Sequence, residues 1–294
     1  MRSGIAGIDH VIVGVRDLEG ARAVWTGLGF TTTPRGRHLG QGTANYCVMF
    51  GRDYLELLGF VMPDAYGHRL QSFLERREGP MSAAFAPSES AEETRRSLIA
   101  ATLHPSEPRA LGRALELPEG TVVPRFTLLD LPPEETPGLD CFLCGHLSPE
   151  LMRRPEWLTH ANGAIGVRGM HVLVGDTAPL LPAYDRLFGI QQVTTTDAVV
   201  CVQIGPHRLL FSTIDDFLTM HPGLDLPADF PLPGIAALEI SVPRRETTAG
   251  YLHQHGVPFT QTPDGTIVVA ADQATGTIIF FTDAPASPLP RRRP

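Results

Sequence analysis

Two short stretches carry the residues best placed to do chemistry. In Gly7-Ile8-Asp9-His10-Val11-Ile12-Val13-Gly14 a histidine sits inside an apolar run that otherwise reads as a buried strand. In Gly169-Met170-His171-Val172-Leu173-Val174-Gly175 the arrangement returns: a histidine, three apolar residues and a glycine. Alternate residues of a strand face opposite sides. His10, Ile12 and Gly14 therefore share one face, and Val11, Val13 and Val15, suited to pack on a helix, share the other. A third stretch, Asp53-Tyr54-Leu55-Glu56-Leu57-Leu58, puts Tyr54, Glu56 and Leu58 on one face. A carboxylate among leucines is costly unless it is paired, solvated or metal-bound. An imidazole and a carboxylate on one wall can hold a divalent ion, or hydrogen-bond each other across a metal-free pocket. In Cys141-Phe142-Leu143-Cys144-Gly145-His146, Phe142, Cys144 and His146 share one parity, so Cys144 or His146 could complete such a site.

Pro34 to Asn45 is polar and glycine-rich, and glycines let backbone approach a ligand. Within it Arg37 and His38 suit a carboxylate or enolate, while Asn45 and Tyr54 are candidate contacts to a substrate. Cys141 and Cys144 have the C-x-x-C spacing. On a strand, however, residues three apart point to opposite faces and no helix N-terminus follows, so core packing is the expectation. His253 and His255 do not face each other on a helix. There is no G-x-S-x-G, no G-x-G-x-x-G after a strand and no H-E-x-x-H.

These residues need elements to position them, and the elements repeat. Gly7 to Val15 reads as a strand, Leu18 to Thr26 as a helix capped by Asp17, and Phe30–Thr33, Asn45–Phe50 and Asp53–Gly59 as three more strands. The order recurs from Arg168: a strand at His171, a helix over Pro179–Leu187, then strands at Gln191–Thr194, Ala198–Ile204 and Arg208–Thr213. His10 lies nineteen residues before Gly29, and His171 eighteen before Gly189. A third copy starts at Gly234, with a helix over Arg244–His255 and strands at Pro258–Thr262, Thr266–Ala271 and Thr277–Thr282. A looser fourth copy occupies Met81 to His146. Its strands are Ala83–Phe85, Arg109–Leu117, Val122–Asp130 and Cys141–Cys144, and its helix is Ala91–Leu103 with a Ser90/Glu93 capping box. Met62–Arg77 and Phe217–Pro233 are connections without a clear pattern.

The chain has 294 residues, 43% hydrophobic and 19% charged, which predicts packed domains rather than disorder. A net charge of −8 without a basic patch argues against nucleic acid. No apolar run is long enough to span a bilayer. With no signal-peptide core at the N-terminus, a cytoplasmic protein is expected. Four cysteines imply no disulfide framework. All 24 basic residues are arginine, which excludes a Schiff-base lysine and a Walker P-loop. Residues 285–294, ending in PLPRRRP, read as a disordered tail.

Four βαβββ units resemble the vicinal oxygen chelate superfamily, the relatives of glyoxalase and extradiol dioxygenases. More narrowly, GRHLGQGTANY followed by DYLELLG resembles the larger glyoxalase-like domain family, as does the connecting motif RRPEWLTHANGA. The family often carries a histidine where Ala44 stands, so the substrate loop departs from the pattern. The resemblance implies an α+β fold whose four modules form two bowls: residues 1–150 hold modules 1 and 2, and residues 165–284 hold modules 3 and 4. Module 1 could pair with module 2 or with module 4, where Ala237 falls at the histidine position and Glu239 has the matching parity. The first-strand histidine and fourth-strand glutamate are the metal-ligand positions, here His10 and Glu56, with His146 as candidate third ligand. Glu56 and Tyr54 are the candidate catalytic groups. A divalent ion (Zn, Fe, Mn or Ni) would polarise adjacent oxygens of a small metabolite, for an isomerase, lyase or dioxygenase. The alternative is a metal-free small-molecule binding or resistance protein. His171 lacks a carboxylate in its own unit, so the second bowl reads as degenerate or as completed by His146. The expected partners are a small-molecule substrate and a second copy of the chain, without nucleic acid or membrane.

Overall fold

The computed structural model describes residues 4–62 and 68–283, so the proposed tail lies outside the described residues. The first unit is β1 (Ile5–Gly14), α1 (Leu18–Gly27), β2 (Gly36–His38), β3 (Thr43–Met49) and β4 (Tyr54–Phe60). A connecting helix α2 (His68–Arg76) leads to the second unit: β5 (Gly79–Pro87), α3 (Ala91–Ala100), β6 (Arg109–Leu117), β7 (Gly120–Val122), β8 (Arg125–Asp130) and β9 (Cys141–His146). The third is β10 (Gly166–Leu173), α4 (Leu180–Phe188), β11 (Val193–Thr195), β12 (Val200–Ile204) and β13 (His207–Ser212), followed by α5 (Ile214–Met220). The fourth is β14 (Gly234–Val242), α6 (Arg245–Gln254), β15 (Thr260–Gln261), β16 (Ile267–Val269) and β17 (Ile278–Asp283).

Local chemistry accounts for the helices. The Asp17 side chain accepts from Gly20 N to start α1, which buries Leu18, Ala21 and Trp25. Ser90 and Glu93 form the reciprocal capping box of α3. The strand expected at Phe30–Thr33 is irregular chain instead. Its amides are satisfied without a ladder, Thr31 N by His160 Nδ1 at 3.0 Å and Thr33 N by the Cys47 carbonyl at 2.8 Å. The strand is β2, inside the glycine-rich stretch. The run Val122–Asp130 breaks into β7 and β8 around Pro124, which has no amide to give a ladder. Helix α2 falls inside the connection Met62–Arg77, and α5 begins just before the connection Phe217–Pro233 and runs into it.

Module 1 pairs with module 2 through antiparallel β1 and β5, and module 3 with module 4 through β10 and β14. The first sheet has nine strands, and pairing of β2 with β6 curls it into a barrel-like bowl. The second has eight strands in the order β11-β12-β13-β10-β14-β17-β16-β15. One hydrophobic core runs through both, from Val11, Trp25 and Phe85 to Val172, Phe211 and Phe281.

A buried polar joint ties the two sheets. His207 Nδ1 accepts from Ile8 N at 3.0 Å, its Nε2 meets Asp53 Oδ2 at 3.1 Å, and Asp53 Oδ1 accepts from Val167 N at 2.8 Å. Gly7 makes room for the imidazole, because a Cβ there would collide with the ring. His207→Ala strands the Ile8 amide and one Asp53 oxygen. Each buried group left unpaired costs about 1–3 kcal/mol, so the variant should unfold at clearly lower urea, with the slope against urea unchanged if both halves still melt together.

Candidate functional site

The first bowl encloses a cavity of about 490 Å³, its wall formed by His10, His38, Tyr54, Glu56, Arg113 and Cys144 among others. Parallel β1 and β4 set His10 beside Tyr54 and Ile12 beside Glu56. The His10 and Tyr54 rings stack with centroids 4.5 Å apart. Glu56 therefore lies one step along the wall from His10, and His10 Nε2 is 3.5 Å from Glu56 Oε2.

A β-bulge adds a residue that strict alternation hides. In the β1–β5 ladder Ile8 pairs with Phe85 and His10 with Ala84, leaving Asp9 as the extra residue. Asp9 is thereby brought to the His10 ring, its Oδ2 2.7 Å from Nδ1, and the same oxygen meets His146 Nε2 at 3.1 Å. The result is a buried chain of alternating imidazoles and carboxylates: His38, Glu56, His10, Asp9, His146. Arg113 on β6 is also buried, with its Nη1 3.6 Å from Glu56 Oε1. Its other contacts are soft, Cys47 Sγ at 3.2 Å and Met152 Sδ at 3.0 Å.

The expected site residues thus divide. His10, Glu56, Tyr54 and His38 meet in the cavity, and the Asn45 side chain donates to Glu56 Oε1. His146 is not brought to Glu56; it belongs to Asp9, behind the His10 ring. Arg37 does not reach the cavity either. Its exposed side chain turns outward to Glu116, Nε to Oε1 at 3.0 Å, because its parity on β2 is opposite to that of His38, which lines the wall. Cys141 and Cys144 are both free and buried.

Charge follows geometry. Burial by itself would raise the Glu56 pKa, but His38, His10, Arg113 and the Asn45 amide outweigh it and hold the carboxyl below its ordinary value. Burial opposes ionisation of Asp9 too, and bonds from His10 and His146 override it, leaving Asp9 well below the usual range. Burial lowers the His38 pKa, which favours the neutral ring. Burial raises the Cys144 thiol well above its ordinary value.

Which of these groups could hold a metal follows from the ladders. His10 faces Ala84 across β1–β5, and Ala84 pairs with Phe142 as His10 pairs with Tyr54. Ala84 and Cys144 are therefore the module-2 counterparts of His10 and Glu56. His10 Nδ1 tied to a carboxylate is the usual support for a ligating imidazole. Nε2 of the same ring lies 3.5 Å from Glu56 Oε2, so one atom of each residue is placed to share either a proton or a cation. His10 and Glu56 bring two donor atoms of the types that bind divalent ions to one point of the wall. Asp9, Cys144 and His146 form a second donor group, with ligand atoms within 4.8 Å of one another.

The family described as Glyoxalase-like domain matches residues 8–188, well over half of the chain. The chain belongs to the glyoxalase-like domain family. No curated protein matches this glyoxalase-like chain. Among solved structures, a hypothetical protein from Staphylococcus aureus is similar at a TM-score of 0.66 and 12% identity, covering 94% of this chain and 98% of its own. A mutant of 4-hydroxymandelate synthase from Streptomyces coelicolor gives 0.58 and 14%, covering 96% and 94%. A xylose isomerase-like TIM barrel/4-hydroxyphenylpyruvate dioxygenase fusion protein gives 0.54 and 13%, covering 99% of this chain and 51% of that one. At these identities the likeness is one of fold, the vicinal oxygen chelate fold of paired modules. No helix among the described residues is long and apolar enough to cross a membrane.

The second bowl of this glyoxalase-like protein has a different floor. His171 is neither isolated nor completed by His146. Its Nε2 lies 3.3 Å from Glu239 Oε1 on β14, and Arg208 grips both Glu239 oxygens at 2.6 and 2.7 Å. The sequence hid this because the carboxylate comes from module 4 rather than from the strand equivalent to β4, where Ser212 stands. Burial would raise the Glu239 pKa, but His171 and Arg208 bring it down to about 2 from an ordinary 4.5. Its folded pKa is depressed, so its contribution to stability is full above about pH 4.5 and is lost as pH falls toward 2. Glu239→Gln should therefore flatten the acid limb of the stability profile in that window, read by urea unfolding at stepped pH.

Proposed function

We propose that the first bowl is the active site of a divalent-metal-dependent enzyme acting on a small molecule with two adjacent oxygens. The observation that carries this reading is the convergence of His10 Nε2 and Glu56 Oε2, 3.5 Å apart, on the wall of the first cavity. His10 and Glu56 would hold the ion, and Cys144 stands at the position symmetric to Glu56. When bound, such an ion supplies Lewis acidity toward an oxyanion. Asp9 fixes the His10 tautomer through Nδ1. Arg113 offers a buried positive charge for an enolate or carboxylate. Tyr54 and Phe142 flank His10 and keep water from its ring. A dioxygenase, the activity in one structural neighbour's name, would want a second histidine. His38 is the one that faces Glu56, Nε2 to Oε1 at 3.4 Å.

Arg113 also favours a second reading. It balances Glu56 without any ion, as a metal-free binding or resistance protein of this fold requires. Chelator-treated protein titrated with Zn²⁺, Mn²⁺, Ni²⁺ and anaerobic Fe²⁺ separates the two. The enzyme reading expects one ion per chain, lost in His10→Ala. No stoichiometric ion in the intact protein would leave the metal-free reading standing.

A further inference from the structure

We propose that the bowl of the eight-stranded sheet is a second, metal-free binding site, and that it takes a neutral, polyhydroxylated ring molecule of sugar size. Its cavity is about 790 Å³, larger than the first at about 490 Å³. A bowl that has lost its role is cheaply filled with apolar side chains, whereas this one keeps a buried carboxylate, Glu239, at its floor, at a desolvation cost. The floor is not arranged for a metal. Arg208 occupies both Glu239 oxygens, and Phe280 stands where Cys144 stands in the first bowl. A carboxylate so pinned is a fixed acceptor rather than a base.

The wall indicates what it would bind. Its ionic groups cancel: Arg168, Arg208 and Arg245 against Glu239, Asp264 and Asp283. Arg208 pairs with Glu239, Arg245 with Asp283 at 2.9 Å, and Arg168 donates to the Asp283 carbonyl at 2.7 Å. The lining carries no net charge for an ionic ligand to match, and Arg168 and the Asp264 carboxylate, which among the described residues have no oppositely charged side chain beside them, offer planar donors and acceptors to hydroxyls. Thr282 Oγ1, on the same wall, is buried without a hydrogen-bond partner among the described residues. His221 and Phe280 form an aromatic shelf, with centroids 4.8 Å apart and planes 31° apart, on which the apolar face of a ring can rest. Burial, then His171, keeps the His221 pKa down to about 4, so at neutral pH the shelf adds no charge.

Methionine methyls report each bowl separately, Met220 lining the second and Met81 the first. Protein labelled with ¹³C-methyl methionine would be titrated with D-glucose, D-galactose and D-xylose, and with D-glucuronate and D-glucosamine as charged counterparts. At least one neutral sugar should shift the Met220 resonance saturably and leave Met81 in place. An uncompensated charge should weaken binding at least about tenfold. Thr266→Trp, which plugs the second bowl, should abolish the Met220 response, with an unchanged Met81 resonance showing that the chain is folded. The proposal is overturned if no neutral sugar moves Met220, if Met81 responds instead, if the charged sugars bind as well, or if the plug has no effect. None of these outcomes depends on what the first bowl binds.

Discussion

Arg113→Met should destabilise the protein by about 3–5 kcal/mol, the usual result of removing one partner from a buried ion pair. The guanidinium is 2% exposed and stands 3.6 Å from Glu56 Oε1. Methionine keeps much of the side chain's bulk on β6 and removes the charge, so lost packing is a small part of the effect. What remains is a carboxylate with two imidazoles and one amide but without its only buried guanidinium. The double variant Arg113→Met with Glu56→Gln tests the cause. If the cost is the stranded charge, the second substitution restores much of the stability, and urea unfolding of all four proteins gives the coupling. If the two losses add instead, Arg113 matters for its contacts to Cys47, Met152 and Phe126 rather than for Glu56.

Glu56→Gln alone should weaken divalent-ion binding by more than about 100-fold, since even groups that only orient a ligand are worth about 10–100-fold. Asp9→Asn, which acts through His10, should fall within that smaller range. His146→Ala should change affinity little, because His146 bonds to Asp9 and not to the donors of the cavity wall. Calorimetric titration with Zn²⁺ and Mn²⁺ compares the three variants. A loss in His146→Ala as large as in Glu56→Gln would assign the ion to the Asp9, Cys144 and His146 group instead.

The repeat was legible because each module restates one apolar pattern, and His10 and Glu56 were legible because the family resemblance implies a first-strand histidine and a fourth-strand glutamate on the bowl's inner face, which the period of two in each strand allows. Other features were written in interactions that span the chain. Asp9 reads as facing away from His10 until the bulge opposite Ala84 and Phe85 reverses it, and nothing local in GIDHVIVG marks that bulge. Arg113 lies in an ordinary strand pattern, and only closure of β2 on β6 sets it against Glu56. Glu239 had the right parity, but its relation to His171 required knowing that modules 3 and 4 pair. His160 looked like part of a linker motif. It proved to be a clamp, accepting from Thr31 N and meeting the Met49 carbonyl at 3.0 Å, and this replaces the strand expected at Phe30–Thr33.

The two ends of the second sheet have a consequence for how copies of this chain could meet. β11 is three residues long and β15 two, so each end offers only a stub of free backbone amides and carbonyls. Stubs that short are poor templates for recruiting a strand from another molecule, and the first sheet, joined to itself, has still less to offer. Among the described residues, strand addition at either end of the second sheet is therefore disfavoured, and with it growth into extended β-fibrils from that sheet's edges.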